Sequence, residues 1–180
     1  MIPSGLTDNN IEFFAKDGEL YSLQDGTRYR YPELPESHID FLSNMLMDDT
    51  SAQDTMTGIP VANRIKIYGI CRFGGCNFTP DASDEGDCID MHEYYECGIR
   101  GVCPFEGKRC KDIVMPAGVL TSHMLKMMLL VTAGLINKEI ADKLSIAKKT
   151  VDNTLVTITS RIGGRNRADI VRFVKERGIS

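Results

Sequence analysis

The sequence predicts an α+β fold in three parts: an N-terminal β-meander with a helix, a cysteine-rich middle, and a C-terminal all-α region of four short helices. Three observations lead to this prediction. Two Asp-Gly steps lie near the N-terminus, all six cysteines lie between positions 71 and 110, and amphipathic segments follow one another closely after position 120. We therefore divide the chain into residues 1–60, 61–115 and 116–180.

The N-terminal strands are predicted from residues 11–31. This stretch contains Asp17-Gly18 and Asp25-Gly26, each between short runs rich in aromatic and aliphatic residues. An Asp-Gly pair between such runs is a strong local signal for a hairpin turn, so the pattern predicts a three-stranded meander.

A helix is predicted to follow the meander. Ser37 is suited to cap its N-terminus. Its apolar residues form one stripe at helical spacing, and they are Ile39, Leu42, Met45 and Leu46. The polar interval 48–58 has no periodicity, and we expect a loop there.

Composition narrows the class of protein. Hydrophobic residues make up 42% of the chain and charged residues 26%, as in ordinary globular proteins. No apolar run approaches the roughly 20 residues of a membrane helix. The first residues lack the basic and apolar regions of a signal peptide, and a cytoplasmic location is the expectation.

Charge is distributed unevenly along the chain. Residues 1–115 contain 10 Lys and Arg against 20 Asp and Glu, whereas residues 116–180 contain 11 against 5. A basic C-terminal part on an acidic body suggests that only the C-terminal part meets a polyanion. The acidic N-terminal region is a candidate surface for a protein partner.

The cysteine cluster suggests a metal site, because clustered cysteines in a cytosolic chain bind metal more often than they form disulfides. Glycine or proline stands near several of them, which favours the tight turns that a tetrahedral zinc site needs. We predict one structural zinc. Its ligands are Cys71, Cys97, Cys103 and Cys110, with Cys76, Cys88 and His92 as alternates.

Two other interpretations of the cysteines remain open. They can be inert buried thiols, or they can hold an iron–sulfur cluster, which also uses four thiolates. Catalytic zinc fits poorly, because the chain has only three histidines. The sequence also lacks a glycine-rich phosphate loop, a nucleophile elbow and a zinc-protease motif, so we do not expect an enzyme.

The C-terminal helices are predicted from their caps and apolar stripes. Thr121 is suited to cap a first helix that ends near Gly134, and Asn137 to cap a second one. A turn at 145–147, with Ile146 pointing inward, leads into a third helix near 148–162. Asn166 opens the fourth helix. The tight turn between the second and third helices predicts a helix-turn-helix.

Residues after position 119 contain a series of short motifs in a fixed order. They are Leu120-Thr121, Gly134, Asn137-Lys138-Glu139-Ile140-Ala141, Lys149-Thr150-Val151, Asn153, Gly163 and Asn166-Arg167. In these motifs the chain resembles the DNA-binding domain of LuxR/FixJ/NarL-type transcription regulators. The resemblance implies a four-helix helix-turn-helix domain that binds double-stranded DNA and forms a homodimer on it through the fourth helix.

Several positions depart from the family pattern. His123 and Met124 stand where the family usually has an Arg-Glu pair, and Ala147 stands where a serine usually caps the recognition helix. Asp152 replaces a common lysine and Thr154 a common histidine. An acidic side chain facing DNA would be repulsive, although aspartate can accept a hydrogen bond from cytosine.

The candidate DNA contacts fall into two groups. Basic side chains are expected to contact phosphates, and they are Lys138, Lys148, Lys149, Arg161 and Arg167. Thr150, Asn153 and Thr157 are expected to reach base edges or sugar-phosphate, with Asn153 suited to pair with adenine.

The sequence thus predicts a sequence-specific transcription regulator with a structural metal site. Two alternatives remain. One is a structural or interaction protein of a phage or mobile element that uses the helix-turn-helix to dock protein. The other is a redox or metal sensor whose cysteines control the C-terminal domain.

Overall fold

The computed structural model describes residues 2–90, 94–100, 102–110, 112–177 and 179. Within these ranges the chain is mixed α and β, as predicted, with two small sheets. The strands are β1 (Glu12–Lys16), β2 (Glu19–Gln24), β3 (Thr27–Arg30), β4 (Ile113–Met115) and β5 (Gly118–Leu120). The helices are α1 (Glu36–Asp48), α2 (Thr50–Asp54), α3 (Val61–Phe73), α4 (Ser122–Thr132), α5 (Asn137–Leu144), α6 (Lys148–Arg161) and α7 (Arg167–Glu176).

The first sheet is the predicted meander. β1, β2 and β3 pair antiparallel in chain order, with Phe13 opposite Ser22. Asp17 and Asp25 have φ angles of 53° and 49°, and the glycine after each also has a positive φ. Two consecutive positive φ angles give a turn whose twist matches that of the strands, which is why Asp-Gly selects this hairpin.

α1 and α3 pack on one face of the meander and enclose the N-terminal core. The ring of Phe13 lies 5.7 Å from that of Phe41 and 5.9 Å from that of Phe73, measured between centroids. Gly69 permits the close approach of α3 to β2, because a Cβ there would lie 2.5 Å from the side chain of Leu20.

The beginning of the first helix differs from the prediction. α1 begins at Glu36 after Pro35, so Ser37 lies in the first turn and not at the N-cap. Pro35 has an extended backbone with ψ of 148°, and its fixed φ suits the position just before a helix.

The interval 48–58 is also not entirely a loop, since it contains the short helix α2. The side chain of Asp49 accepts a hydrogen bond from the backbone N–H of Ala52 at 3.2 Å and caps this helix. A local capping interaction therefore forms a turn of helix where no apolar periodicity indicates one.

The connecting segment (residues 74–112) joins α3 to β4, and its described residues contain no named helix or strand. Its first part is fixed to β1. The N–H of Ile11 donates to the carbonyl of Ala82 at 2.8 Å, and the N–H of Phe13 donates to the carboxylate of Asp81 at 2.6 Å. These bonds hold the segment against the N-terminal body without regular structure.

The C-terminal domain contains the four predicted helices, preceded by a hairpin of β4 and β5 that the sequence analysis did not predict. Thr121 caps α4 by accepting from the N–H of Met124, and Asn166 caps α7 by accepting from the N–H of Ala168. The buried core includes Leu125, Met127, Met128, Val131, Ile140, Val151, Ile158, Ile170 and Val174.

Candidate nucleic-acid interface and cysteine cluster

The turn between α5 and α6 sets the two helices against each other. Ser145 has a left-handed backbone with φ of 53° and ends α5. The N–H of Ile146 then donates to the carbonyl of Ala141 at 3.0 Å. The side chain of Ile146 is partly buried against the domain core, as predicted. This geometry is that of a helix-turn-helix.

α6 has one face in the core and one in solvent. Val151 and Ile158 are fully buried, whereas Lys148, Lys149 and Thr150 are exposed. These side chains are exposed even though the N-terminal body is present. The described acidic residues of that body therefore do not cover this end of α6. A helix of this width fits the major groove of DNA.

Asp152 is tied to its neighbours. One carboxylate oxygen accepts from the side-chain amide of Asn137 at 2.7 Å, and the other lies 3.1 Å from the ammonium group of Lys148. The hydrogen bonds from Asn137 and Lys148 lower the pKa of Asp152. The acid therefore links α5 to α6 and partly neutralises a lysine, so it is not an isolated negative charge on the surface of α6.

Asn137 serves this link and does not cap α5. It is the first helical residue, and Ile136 occupies the N-cap position. The side-chain oxygen of Asn137 accepts from the guanidinium of Arg167 at 2.7 Å. The carboxylate of Glu139 instead accepts from the N–H of Ile136 at 2.8 Å and satisfies the helix start.

Two of the predicted phosphate contacts have guanidinium groups bonded inside the domain. Arg167 donates to Asn137 and to the carbonyl of Leu135. Arg161 donates to the carbonyl of Val119 and to the sulfur of Met124. Met124 stands where the family pattern has an acid. Its sulfur accepts from Arg161, and this contact joins α4 to α6.

The remaining predicted contacts lie on exposed or half-exposed surface. Lys138 is exposed in the first turn of α5, and Asn153 is exposed on α6. Thr157 is half-buried, and its hydroxyl donates to the carbonyl of Asn153 at 3.1 Å. The assignment of these residues to DNA stays a prediction.

The cysteines predicted as ligands differ in how far they are buried. Cys71 stands in the last turn of α3. Burial, followed by the charges of Cys110, Cys97 and Cys103, raises the pKa of Cys71 to about 12. Cys110 is buried and Cys103 is half-buried, whereas Cys97 is exposed.

The described thiols are not arranged as the ligands of a metal ion. In the described ranges, no group of three or more His, Cys, Asp or Glu side chains is placed so that it could hold a metal ion. Cys76 and Cys88, two of the alternate ligands, are exposed. His92, the third alternate, lies outside the described residues.

The end of the connecting segment contacts both parts of the molecule. The guanidinium of Arg109 donates to the hydroxyl of Thr55 at 2.8 Å in the N-terminal body. Toward the C-terminal domain, Arg100 donates to the hydroxyl of Ser122 at 3.2 Å, and Lys126 donates to the carbonyl of Arg100 at 2.7 Å. The end of the connecting segment therefore lies at the junction of the two parts.

Sequence reasoning missed two features of the candidate interface. The ion pair between Lys148 and Asp152 has the i, i+4 spacing of a helix pair and was readable from the sequence. Val156, which is 71% exposed on α6, was also missed. An exposed valine in a helix has no local signature, so only the three-dimensional structure reveals it.

The comparison with protein families agrees with this geometry. Residues 118–174 match the family model described as bacterial regulatory proteins, luxR family. No curated protein and no solved structure gives a significant match to the chain.

The C-terminal part is therefore a helix-turn-helix domain of the LuxR family, at residues 118–174. This family consists of DNA-binding regulators and not enzymes, and the match supports a DNA-binding regulator here. Among the described residues, no helix combines the length and apolarity needed to span a membrane.

Proposed function

We propose that the protein is a cytoplasmic, sequence-specific transcription regulator that places α6 in the major groove of double-stranded DNA. The observation that carries the proposal is the uncovered surface of α6. Lys149 and Asn153 are exposed in the presence of the whole N-terminal body. A basic surface beside an uncovered polar helix suits phosphate contacts that position the domain and base contacts that give specificity.

The residues take different roles in this proposal. Lys138, Lys148 and Lys149 contact phosphates, and Asn153 pairs with an adenine edge. Thr150 and Thr157 contact base edges or sugar-phosphate. Because their guanidinium groups are bonded within the domain, Arg161 and Arg167 contribute positive charge and hold helices, with a phosphate contact as a secondary role.

The test is binding of the full chain to a random pool of DNA across a salt series. Lys149→Glu is expected to weaken binding to all sequences and to lower the slope of log affinity against log salt by about 1. Lys149 is exposed and has no ion pair in the described residues, and a thermal melt establishes that the variant is folded. Fluorescence anisotropy measures both quantities.

The matched control for this substitution is Lys16→Glu, which makes the same charge change at an exposed position of β1. It should leave the salt slope unchanged. Equal slopes for Lys149→Glu and the unaltered protein would mean that α6 does not lie on DNA.

We propose homodimerisation on DNA through α7, as the resemblance implies. Val171 and Phe173 are partly buried against the domain's own core, which leaves a small surface for a partner. A small isologous surface suits a protein that pairs only when two half-sites hold it in place. The half-sites would then lie about 10 base pairs apart.

Phe173→Glu is expected to abolish paired occupation of two half-sites and to leave single occupation. Footprinting on a selected sequence measures this. Because Phe173 also contacts the core, a thermal melt must accompany the footprint. A folded variant that still protects both half-sites would contradict the dimer, and so would the unaltered protein protecting only one.

We further propose one structural zinc held by Cys71, Cys97, Cys103 and Cys110. Support comes from the donor set, since α3 and the connecting segment offer four thiols, of which Cys110 is buried and Cys71 and Cys103 are half-buried. Zinc would supply the cross-link between these two elements. In the described residues the thiols do not yet form a coordination geometry, so binding must draw them closer.

A further inference from the structure

The outward stripe of α6 contains one residue that the proposed contacts leave unused. Lys149, Asn153, Val156 and Ser160 follow one another at steps of four, three and four residues, so they share one side of the helix. All of them are exposed. Val151 and Ile158 point the opposite way into the core. Val156 therefore stands near the centre of the solvent-facing side, between polar neighbours.

Val156 is 71% exposed, and it is the only large hydrophobic residue of α6 with so open a side chain. Single exposed hydrophobic residues are common and need no partner in general. Here, however, the position coincides with the surface that the proposed function sets against base edges. The major groove offers one apolar group, the C5-methyl of thymine, and small apolar side chains contact it.

We propose that Val156 reads a thymine through its C5-methyl group, on the base pair next to the one that Asn153 reads. This inference rests on the proposed DNA-binding function and adds a specificity residue to it. α6 would then prefer a step that combines an adenine for the amide of Asn153 with a neighbouring thymine for the valine.

The spacing of the two side chains fits neighbouring base pairs. Asn153 and Val156 are separated by three residues, or about 4.5 Å along the helix axis at 1.5 Å per residue. Base pairs are stacked about 3.4 Å apart. A helix inclined to the groove thus places the two side chains over successive base pairs. Ser160, one further turn along the stripe, would face sugar-phosphate.

The test removes only the methyl group. The full chain is used to select a binding sequence from random DNA, and each thymine of that sequence is replaced in turn by uracil. At one position, uracil is expected to weaken binding of the unaltered protein about fourfold, the effect of one buried methyl group. Val156→Ala should bind thymine and uracil equally at that position.

Two controls make the comparison specific. Val114→Ala changes another exposed valine, 59% exposed on β4, and should retain the penalty for uracil. Asn153→Ala should relax preference at the adjacent base pair while the uracil penalty remains. A thermal melt of each variant establishes that it is folded.

The outcomes separate this inference from the proposed function. A protein that selects a sequence but shows no uracil penalty overturns the role of Val156 and leaves DNA binding standing. The same holds if Val156→Ala keeps the full penalty, or if it weakens binding to thymine and uracil DNA alike. A protein that selects no DNA sequence at all overturns both.

Discussion

Replacing Arg72 by leucine is expected to lower the free energy of unfolding by about 3–5 kcal/mol, because it breaks the buried ion pair between the Arg72 guanidinium and the Asp49 carboxylate. The guanidinium of Arg72 lies 2.6 Å from that carboxylate, and each side chain is only 6% exposed. Arg72 also lies over the ring of Tyr68, 5.7 Å from its centroid. The pair joins α3 to the start of α2 inside the N-terminal body.

Urea unfolding measures the effect, and the melting temperature should fall by about 2–4 °C for each kcal/mol in a chain of this size. Adding Asp49→Asn to Arg72→Leu should restore much of the loss, because asparagine removes the charge but still caps α2. Arg30→Leu is the surface control. Arg30 lies 3.5 Å from Glu19 with a side chain 60% exposed, and such a pair contributes about 1 kcal/mol or less.

Similar losses for Arg72→Leu and Arg30→Leu would mean that burial does not strengthen the effect of the Asp49–Arg72 pair. A double variant as unstable as Arg72→Leu would place the cost in lost packing of the long side chain and not in the charge.

The elements that the sequence predicts are those with a complete local signal. Asp17-Gly18 and Asp25-Gly26 need only their own backbone preferences to form hairpins, and both do. Among the C-terminal helices, α4 and α7 have the predicted polar caps Thr121 and Asn166, so their first residues follow closely from the sequence. The family match at residues 118–174 confirms the resemblance that these motifs carry.

The features that the sequence does not predict depend on partners far along the chain. Asn137 looks like a helix cap, but its amide bonds Asp152, fifteen residues away, and Arg167, thirty residues away. Asp152 likewise looks repulsive to DNA until these bonds are known. The hairpin of β4 and β5 is only three residues long on each side, too short for a pattern of alternation.

The cysteines have a local signal in the sequence, but their arrangement depends on distant parts of the chain. Their types and number suggest a metal, and Cys71 lies in the last turn of α3. The four thiols are separated by up to thirty-nine residues. Long-range packing of the connecting segment therefore decides whether they meet. In the described residues no such group of ligands is placed to hold a metal ion, and the ligand set remains a prediction.

Cys103→Ser is expected to reduce the zinc content of the purified protein from about one per chain to near none, since a tetrahedral site needs all four protein ligands. Metal that binds only the folded chain stabilises it by mass action, by about 4 kcal/mol when its concentration is a thousandfold above the dissociation constant. The melting temperature should therefore fall by about 8–16 °C. Elemental analysis and calorimetry measure the two quantities.

Cys76→Ser is the matched control, because Cys76 is exposed and is not one of the four proposed ligands. It should keep the zinc and melt within about 2 °C of the unaltered protein, as surface substitutions generally do.

A visible absorption band lost in Cys103→Ser would assign an iron–sulfur cluster to the same ligands. If the purified protein contains no metal and Cys103→Ser does not change its melting temperature, the cysteines are inert. The connecting segment would then depend on contacts such as Arg100 with Ser122 and Arg109 with Thr55 to join the two parts of the molecule.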